Sequence, residues 1–367
     1  MSTIKVNKIE NTGTTAGGVE IDSSGHVQVD GQQFPTAGAL SNRNLVINGG
    51  MQVSQRSTST AVTTTDTFVL DRFKAASGSS FNLNSTISQS STAPAGFANS
   101  FKVDVTTVST PSGGENGVIF HRIEAQNLQH LQYGTSSAQT CTASFWVRSN
   151  KTGTYCFQLL QDDAQKYVLY EYTISSANTW EKKTITIVGN TADAIANDNG
   201  PGIELRWHLA SGSTDHVSTS STWTGNTAGY LTTSNQVNLF DNTSNEWYLT
   251  GVQFEVGEKA TPFEHRSYGD ELQRCQRYYE ELPSGAKIFM ALNANSTASA
   301  YSNGNVIFKV TKRATPTVVT STTSGNNSTA ISSEADEAIT AYGFAVTGQA
   351  QAADAYYINS FTADAEL

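Results

Sequence analysis

Short stretches of alternating apolar and polar residues recur along most of this chain, a pattern typical of β-strands with one buried face. Within residues 1–40, Ile4, Val6 and Ile9 form one such stretch, and glycine-rich turns separate it from two others. A hairpin with so few apolar side chains is marginal in water. We therefore expect this segment to pair with other chains or to dock on another protein, and we predict an assembly role for Ile4, Val6 and Ile9.

Residues 41–266 carry many more of these stretches, separated by polar loops. Strands of this number and length need two facing sheets to bury their apolar sides, which predicts a β-sandwich of the jelly-roll type. Residues 284–367 return to the strand pattern and predict a small C-terminal β-sandwich. The predicted fold class is all-β, with a short-strand N-terminal extension, the central jelly-roll, one linking α-helix and the small sandwich.

The linking helix is predicted over residues 267–283. Ser267 and Asp270 fit a capping box at its start, and Pro283 stops the run. Tyr268, Leu272 and Tyr279 then share one seam with heptad spacing. Two interpretations of the seam stay open: it packs on a neighbouring domain of the same chain, or it packs around a threefold axis. We assign these three residues to assembly.

Composition and charge exclude several classes of function. The 367 residues carry a net charge of −10 without a run of lysine or arginine, which argues against nucleic-acid binding. Three cysteines leave an odd one over and lack metal-ligand spacing, so neither a disulfide framework nor a zinc site is indicated. No stretch approaches 18 consecutive apolar residues, so we expect no membrane insertion.

Three stretches of the sequence resemble blocks of tail-fibre and appendage proteins from cyanophages and other tailed phages. They are SNRNLVINGGMQVSQR (41–56) followed by DTFVLDRF (66–73), NEWYLTGVQFEVGEKATPFEHRSYGDELQRCQRYYEEL (245–282), and VIFKVTKRATPTVV (306–319). The opening STIKVNKIENT is similar to the start of many cyanophage structural proteins. The resemblance implies a jelly-roll like that of carbohydrate-binding modules, an N-terminal virion anchor, a distal C-terminal domain and a homotrimer.

These features together predict a phage virion structural protein, made in the host cytoplasm, that attaches the particle to host surface glycans. Its expected partners are two further copies of itself, other virion proteins through residues 1–40, and a host glycan. Two alternatives stay open. One is a head fibre or capsid decoration protein, and the other is a tailspike enzyme that degrades polysaccharide.

Candidate chemistry in the sequence points to binding and not to catalysis. The sequence lacks G-x-S-x-G and H-E-x-x-H motifs, and adjacent carboxylates such as Asp162 and Asp163 point in different directions on a strand. We therefore expect no enzymatic activity. Aromatic rings stack on sugars, and Trp223 in a polar loop, with Tyr230 nearby, is the predicted glycan site.

The four other tryptophans lie within strand patterns and are predicted to be core residues: Trp146, Trp180, Trp207 and Trp247. The resemblance also allows a structural calcium ion beside the first strand of the jelly-roll. Asn48 or Glu255 would contribute oxygen ligands to it. No other cofactor is expected.

Overall fold

A computed structural model of the chain confirms the all-β fold class with a single linking α-helix among the described residues. The structure describes residues 8–10, 18–21, 27–29, 32–33, 42–63, 66–79, 81–226, 229–283, 288–290, 300–323, 328–332, 339–350 and 356–367. Ile4 and Val6 lie outside these residues, so their predicted assembly role stays a prediction.

The N-terminal segment forms a small antiparallel sheet of four short strands, in the order in which they occur along the chain. They are β1 (Lys8–Glu10), β2 (Gly18–Ile21), β3 (Val27–Val29) and β4 (Gln32–Gln33). Ile9 pairs with Val19 across β1 and β2. Three apolar side chains of this sheet are exposed: Ile9 by 62%, Val19 by 40% and Ile21 by 45%.

The central part of the chain is a jelly-roll β-sandwich. Its strands are β5 (Ser59–Val62), β6 (Thr67–Phe68), β7 (Phe73–Gly78), β8 (Ser85–Ser90), β9 (Ser100–Val105), β10 (Asn116–Glu124), β11 (Cys141–Ser149), β12 (Gly153–Gln161), β13 (Lys166–Ile174), β14 (Glu181–Ile187), β15 (Pro201–Ser211), β16 (Ser220–Gly225) and β17 (Glu246–Val256). One sheet has seven strands in the order β16-β13-β12-β15-β10-β7-β6, and the other has six in the order β14-β11-β17-β9-β8-β5. Short 3-10 helices span Ala125–Leu131, Ser213–Asp215 and Leu239–Asp241.

Aromatic side chains from both sheets fill the core between them. Trp207 lies at its centre, with ring centroids 5.6 Å from Phe145 and 5.4 Å from Phe157. Trp207 and Trp247 are completely buried, which confirms the prediction for these two residues. Alternate residues of β15 point into this core because side chains on a strand alternate between its two faces.

The linking helix is shorter than predicted. It spans α1 (Tyr268–Gln276), and Ser267 caps it by accepting a hydrogen bond from the Asp270 N–H at 3.1 Å. The predicted end at residue 283 is wrong, because Tyr279–Leu282 form strand β18, which pairs with the last strand of the chain. Sheet pairing here overrides local helix propensity. Tyr279 therefore shares no helical seam with Tyr268 and Leu272.

The C-terminal part is the predicted small β-sandwich. Besides β18 (Tyr279–Leu282) its strands are β19 (Ile288–Met290), β20 (Ala300–Ile307), β21 (Thr317–Thr323), β22 (Ser328–Ser332), β23 (Ile339–Thr340), β24 (Gly343–Ala350) and β25 (Tyr356–Asp364). One sheet is built on β25 and the other on β24. Phe308, Phe344 and Phe361 form most of the small core between them.

The C-terminal tail joins the two sandwiches through buried charges. The carboxylate of Glu366 forms ion pairs with Arg72 and with Arg56. The guanidinium of Arg72 also stacks on the Tyr278 ring, 3.5 Å from its centroid. The side chain of Arg72 is 1% exposed and that of Glu366 is 5% exposed. This junction, formed by Arg56, Arg72, Tyr278 and Glu366, fixes the small sandwich to the jelly-roll.

Candidate functional site

The outer surface of the six-stranded sheet carries aromatic residues that the strand alternation directs away from the core. On β11, Phe145 and Val147 are buried completely between the sheets. Trp146 and Arg148 therefore point outward, and both are partly exposed. Tyr248 on β17 lies directly opposite Arg148.

A tight turn brings a second tryptophan onto the same surface. The carboxylate of Glu181 accepts hydrogen bonds from the N–H groups of Ser175 and Ser176, at 2.8 and 2.9 Å. Asn178, at the tip of the turn with a φ of 59°, accepts a hydrogen bond from Arg148 Nε at its carbonyl oxygen, at 3.0 Å. The turn places Trp180 edge-on to Tyr248, with ring centroids 6.1 Å apart.

Charged residues surround the Tyr248 ring. Arg148 lies 4.9 Å and Lys102 5.7 Å from its centroid. Burial alone would lower the pKa of Lys102, but hydrogen bonds to Glu246 and Asp104 raise it above its ordinary value. Burial would likewise raise the pKa of Glu246, yet hydrogen bonds from Lys102 and Tyr248 lower it. Both partners are therefore held in their charged forms.

Phe97 and Gly251 complete the surface at its other end. A β-bulge in β17 places two residues, Gly251 and Val252, opposite Phe145. Gly251 has a φ of +61°, and a Cβ atom there would lie 2.7 Å from Phe97 Cζ and 2.9 Å from Trp146 Cδ1. The glycine thus provides the space in which Phe97 approaches Trp146.

Phe97, Trp146, Arg148, Trp180, Lys182 and Tyr248 together form what we call the aromatic face. Tyr248 is buried, but the rings of Phe97, Trp146 and Trp180 are partly exposed near the two cations. Such a surface suits an amphipathic ligand with flat apolar faces and polar edges. A sugar ring has this character, since its C–H face stacks on an indole while its hydroxyls accept and donate hydrogen bonds. The strands that carry the face are held by the core, so the site is preorganised.

The predicted glycan-binding pair, Trp223 and Tyr230, is used in contacts within the chain. Trp223 lies in strand β16 and not in a loop, and its Nε1–H donates to the Val188 carbonyl at 2.8 Å. Tyr230 lies under the guanidinium of Arg206, 4.5 Å from the ring centroid. No contact among the described residues joins the two rings. Their role in glycan binding stays a prediction.

Residues 229–237 cover part of the outer surface of the seven-stranded sheet. Glu204 and Arg206 point outward from β15, yet their side chains are 0% and 6% exposed and form an ion pair with each other. Arg206 also donates to the Gly229 carbonyl at 2.7 Å. A ligand would have to displace this part of the chain to reach the covered residues. On the six-stranded sheet, in contrast, Trp146 and Trp180 are partly exposed.

The residues proposed for calcium have their oxygens occupied by hydrogen bonds. Asn48 Oδ1 accepts from the Val53 N–H at 2.9 Å. The two carboxylate oxygens of Glu255 accept from the N–H and the hydroxyl of Thr261, at 2.8 and 2.6 Å. Among the described residues no group of three acidic, histidine or cysteine side chains is arranged for a metal ion. A structural calcium at Asn48 or Glu255 stays a prediction.

The predicted assembly residues differ in burial, and only Tyr268 and Leu272 belong to the helix. Glu271 and Cys275 are buried against the same chain, and Glu271 accepts a hydrogen bond from the Asn48 N–H at 2.9 Å. Tyr268 is 57% exposed, while Leu272 is partly buried. Tyr279 is buried, with the guanidinium of Arg56 3.6 Å from its ring centroid. A role of these residues in assembly stays a prediction.

The structure corrects the prediction for two tryptophans. Trp146 and Trp180 were expected in the core, but both are partly exposed on the aromatic face. For Trp146 the signal is present in the sequence: it alternates with Phe145 and Val147, and only one of these two sets can face the core. The local pattern does not predict the exposure of Trp180, because the turn that places this residue depends on contacts with Arg148 and Glu181.

Comparisons with known proteins give no family for the chain: no family model and no curated protein matches it. Among solved structures it is similar to the enzymatically active domain of a tailspike protein of bacteriophage CBA120, with 15% identity and a TM-score of 0.28 over 58% of this chain. The match spans only 21% of the tailspike chain.

No helix among the described residues is long and apolar enough to cross a membrane.

Two bacterial proteins show similarities of the same kind. One is a family 11 carbohydrate-binding module from Clostridium thermocellum, with 11% identity and a TM-score of 0.28 over 56% of this chain and 97% of the module. The other is a putative sugar binding protein from Bacteroides thetaiotaomicron, with 10% identity and a TM-score of 0.32 over 59% of this chain and all of that one. Similarities with TM-scores this low establish neither a family nor a function for the chain.

Proposed function

We propose that this chain is a phage virion structural protein, a trimeric tail-fibre or appendage subunit that binds host surface glycans through the aromatic face. The observation that carries the binding part is the pair of outward tryptophans, Trp146 and Trp180, with Arg148 and Tyr248 between them. The resemblance of the three sequence blocks supports the virion part. The proposal includes no hydrolysis of the glycan.

In a trimer, the aromatic faces of three subunits would bind the same polysaccharide together. Three weak sites on one rigid appendage bind a repetitive polysaccharide far more tightly than one site does, because the second and third contacts are intramolecular. No deep pocket is then needed in each subunit. A shallow sheet face with two partly exposed tryptophans is enough.

Replacing Trp146 with alanine is expected to weaken binding to a host-cell polysaccharide by at least about tenfold, since a buried aromatic contact contributes on the order of 1 kcal/mol or more and three copies are lost at once. Binding of the full-length protein to immobilised polysaccharide measures the effect. W180A should lower affinity in the same direction. Y342A is the matched control, because Tyr342 is a 70% exposed aromatic residue on the small sandwich.

Wild-type affinity in both tryptophan variants would contradict the glycan site. Melting temperatures separate a binding defect from misfolding, and W180A keeps the test valid should W146A fold poorly.

Incubation of wild-type protein with the same polysaccharide is expected to release no new reducing ends. Their appearance would favour the tailspike enzyme.

Removal of residues 1–40 is expected to leave folded β domains that no longer join virions. The exposed Ile9, Val19 and Ile21 support this anchor role, because one small sheet presents all three to a potential partner surface. Incorporation is measured by quantifying the protein in particles purified from a complemented infection. W146A should be incorporated normally and serves as the control. Normal incorporation of the truncated protein would refute the anchor.

A further inference from the structure

Two cations of the aromatic face, Arg148 and Lys182, lack an ion-pair partner among the described residues. The whole protein has a net charge of −10. On the face, Lys102 is paired with two carboxylates, Glu246 at 2.6 Å and Asp104 at 3.2 Å, and nearby Lys183 is paired with Glu181 at 2.6 Å. Arg148 and Lys182, in contrast, form no ion pair with any described residue.

These two cations flank Trp146. Lys182 on β14 lies directly opposite Trp146 in the sheet, and Arg148 follows two residues later on the same face of β11. Directly opposite side chains start about 5 Å apart, and residues i and i+2 of a strand about 7 Å apart. Lysine and arginine side chains are long enough to span the remaining distance to the edge of a sugar ring. A ring stacked on Trp146 would therefore bring its edge within reach of both cations.

The other groups near Arg148 leave its charge available. Its Nε and Nη2 atoms donate to the backbone oxygen and side-chain oxygen of Asn178, at 3.0 and 3.1 Å, which fixes the guanidinium in place. Tyr248 lies beneath it, and the nearby carboxylate of Glu246 accepts hydrogen bonds from Lys102 and from the Tyr248 hydroxyl. Arg148 contributes to the lowered pKa of Glu246, yet the two form no ion pair, so the guanidinium can still take a carboxylate partner.

We propose that the aromatic face selects acidic glycans, with a carboxylate-bearing sugar ring stacked on Trp146 and its carboxylate between Lys182 and Arg148. This inference rests on the proposed glycan-binding function and names the ligand class of the same site. A carboxylate at the edge of a sugar ring lies near the ring plane, so it points along the sheet toward the two cations when the ring lies flat on the indole. Charge-assisted hydrogen bonds to such a group are stronger than those to a hydroxyl.

The test uses the full-length protein on an array that pairs each acidic glycan with its neutral parent, including polygalacturonate and the same polymer after reduction of its carboxyl groups. Wild-type protein is expected to bind the acidic members at least about tenfold more tightly, as one charge-assisted hydrogen bond is strong enough to give this ratio. Added salt should weaken the preference. K182Q should lose it while still binding neutral members. R148Q should lose it too and should also bind every member more weakly, because Arg148 holds the turn that places Trp180.

K166Q is the matched control, because Lys166 lies on strand β13 of the other sheet and its loss changes the net charge equally. It should keep the wild-type preference. Equal binding to acidic and neutral partners, or an unchanged preference in both K182Q and R148Q, would overturn this inference and leave the glycan-binding function standing. Absence of binding to every member of the array would overturn the proposed function itself.

Discussion

Replacing Arg72 with alanine is expected to lower the free energy of unfolding by about 3–5 kcal/mol, the usual loss when one partner of a buried ion pair is removed. The variant leaves the carboxylate of Glu366 buried beside Arg56 alone, at 3.3 Å. It also exposes the face of the Tyr278 ring that the guanidinium of Arg72 covers. The junction between the two sandwiches should therefore open before the jelly-roll core unfolds.

Unfolding in guanidinium chloride, monitored by tryptophan fluorescence, measures the loss of stability. Limited proteolysis of the C-terminal sandwich shows whether the junction opens first. The Lys151 and Asp241 pair supplies the control, because its side chains are 30% and 41% exposed and an exposed pair contributes at most about 1 kcal/mol. K151A should thus unfold almost as wild type. Similar small losses in R72A and K151A would show that the junction does not hold the sandwiches together.

Replacing Gly251 with alanine is expected to cost about 2–5 kcal/mol and to weaken glycan binding together with stability. A left-handed conformation costs an alanine roughly 1–2 kcal/mol. The new Cβ atom would in addition lie 2.7 Å from Phe97 and 2.9 Å from Trp146, and overpacking of this kind costs about 1–3 kcal/mol. Relief of the clash moves Trp146, on which the proposed site depends.

Thermal unfolding and binding to the polysaccharide are measured on the same preparation. G225A is the control: Gly225 ends strand β16, and a Cβ atom there would meet no atom within 4 Å. It should change neither stability nor binding. An alanine at position 251 that leaves both unchanged would show that the bulge does not position Trp146.

The fold was largely predictable from the sequence, because alternation along a strand reports directly on which side chains are buried. The all-β class, the jelly-roll and the small C-terminal sandwich follow from it. The same rule, applied residue by residue, would have placed Trp146 outside, since Phe145 and Val147 flank it. A large apolar residue such as tryptophan is usually buried. This general preference led to the wrong prediction that Trp146 is a core residue, although the alternation indicated the opposite.

Local sequence signals predicted the beginning of the helix correctly but not its end. Ser267 and Asp270 predicted its beginning, because a cap depends on neighbouring backbone groups. Its end depends on residues far along the chain: β18 pairs with β25, in which Leu282 lies opposite Phe361. The helical periodicity around residue 280 cannot report a strand partner nearly eighty residues away, so the end of the helix was not predictable from it.

The sequence alone determined most of the strands, the apolar face of each of these strands, and where the helix begins, since these depend on neighbours within a few positions. Only the tertiary structure decided which outer sheet surface stays open. Residues 229–237 cover part of one sheet and bury Arg206, while the turn before β14 adds Trp180 to the other. Surface exposure is set by contacts between segments distant in the chain, and a one-dimensional pattern does not contain them.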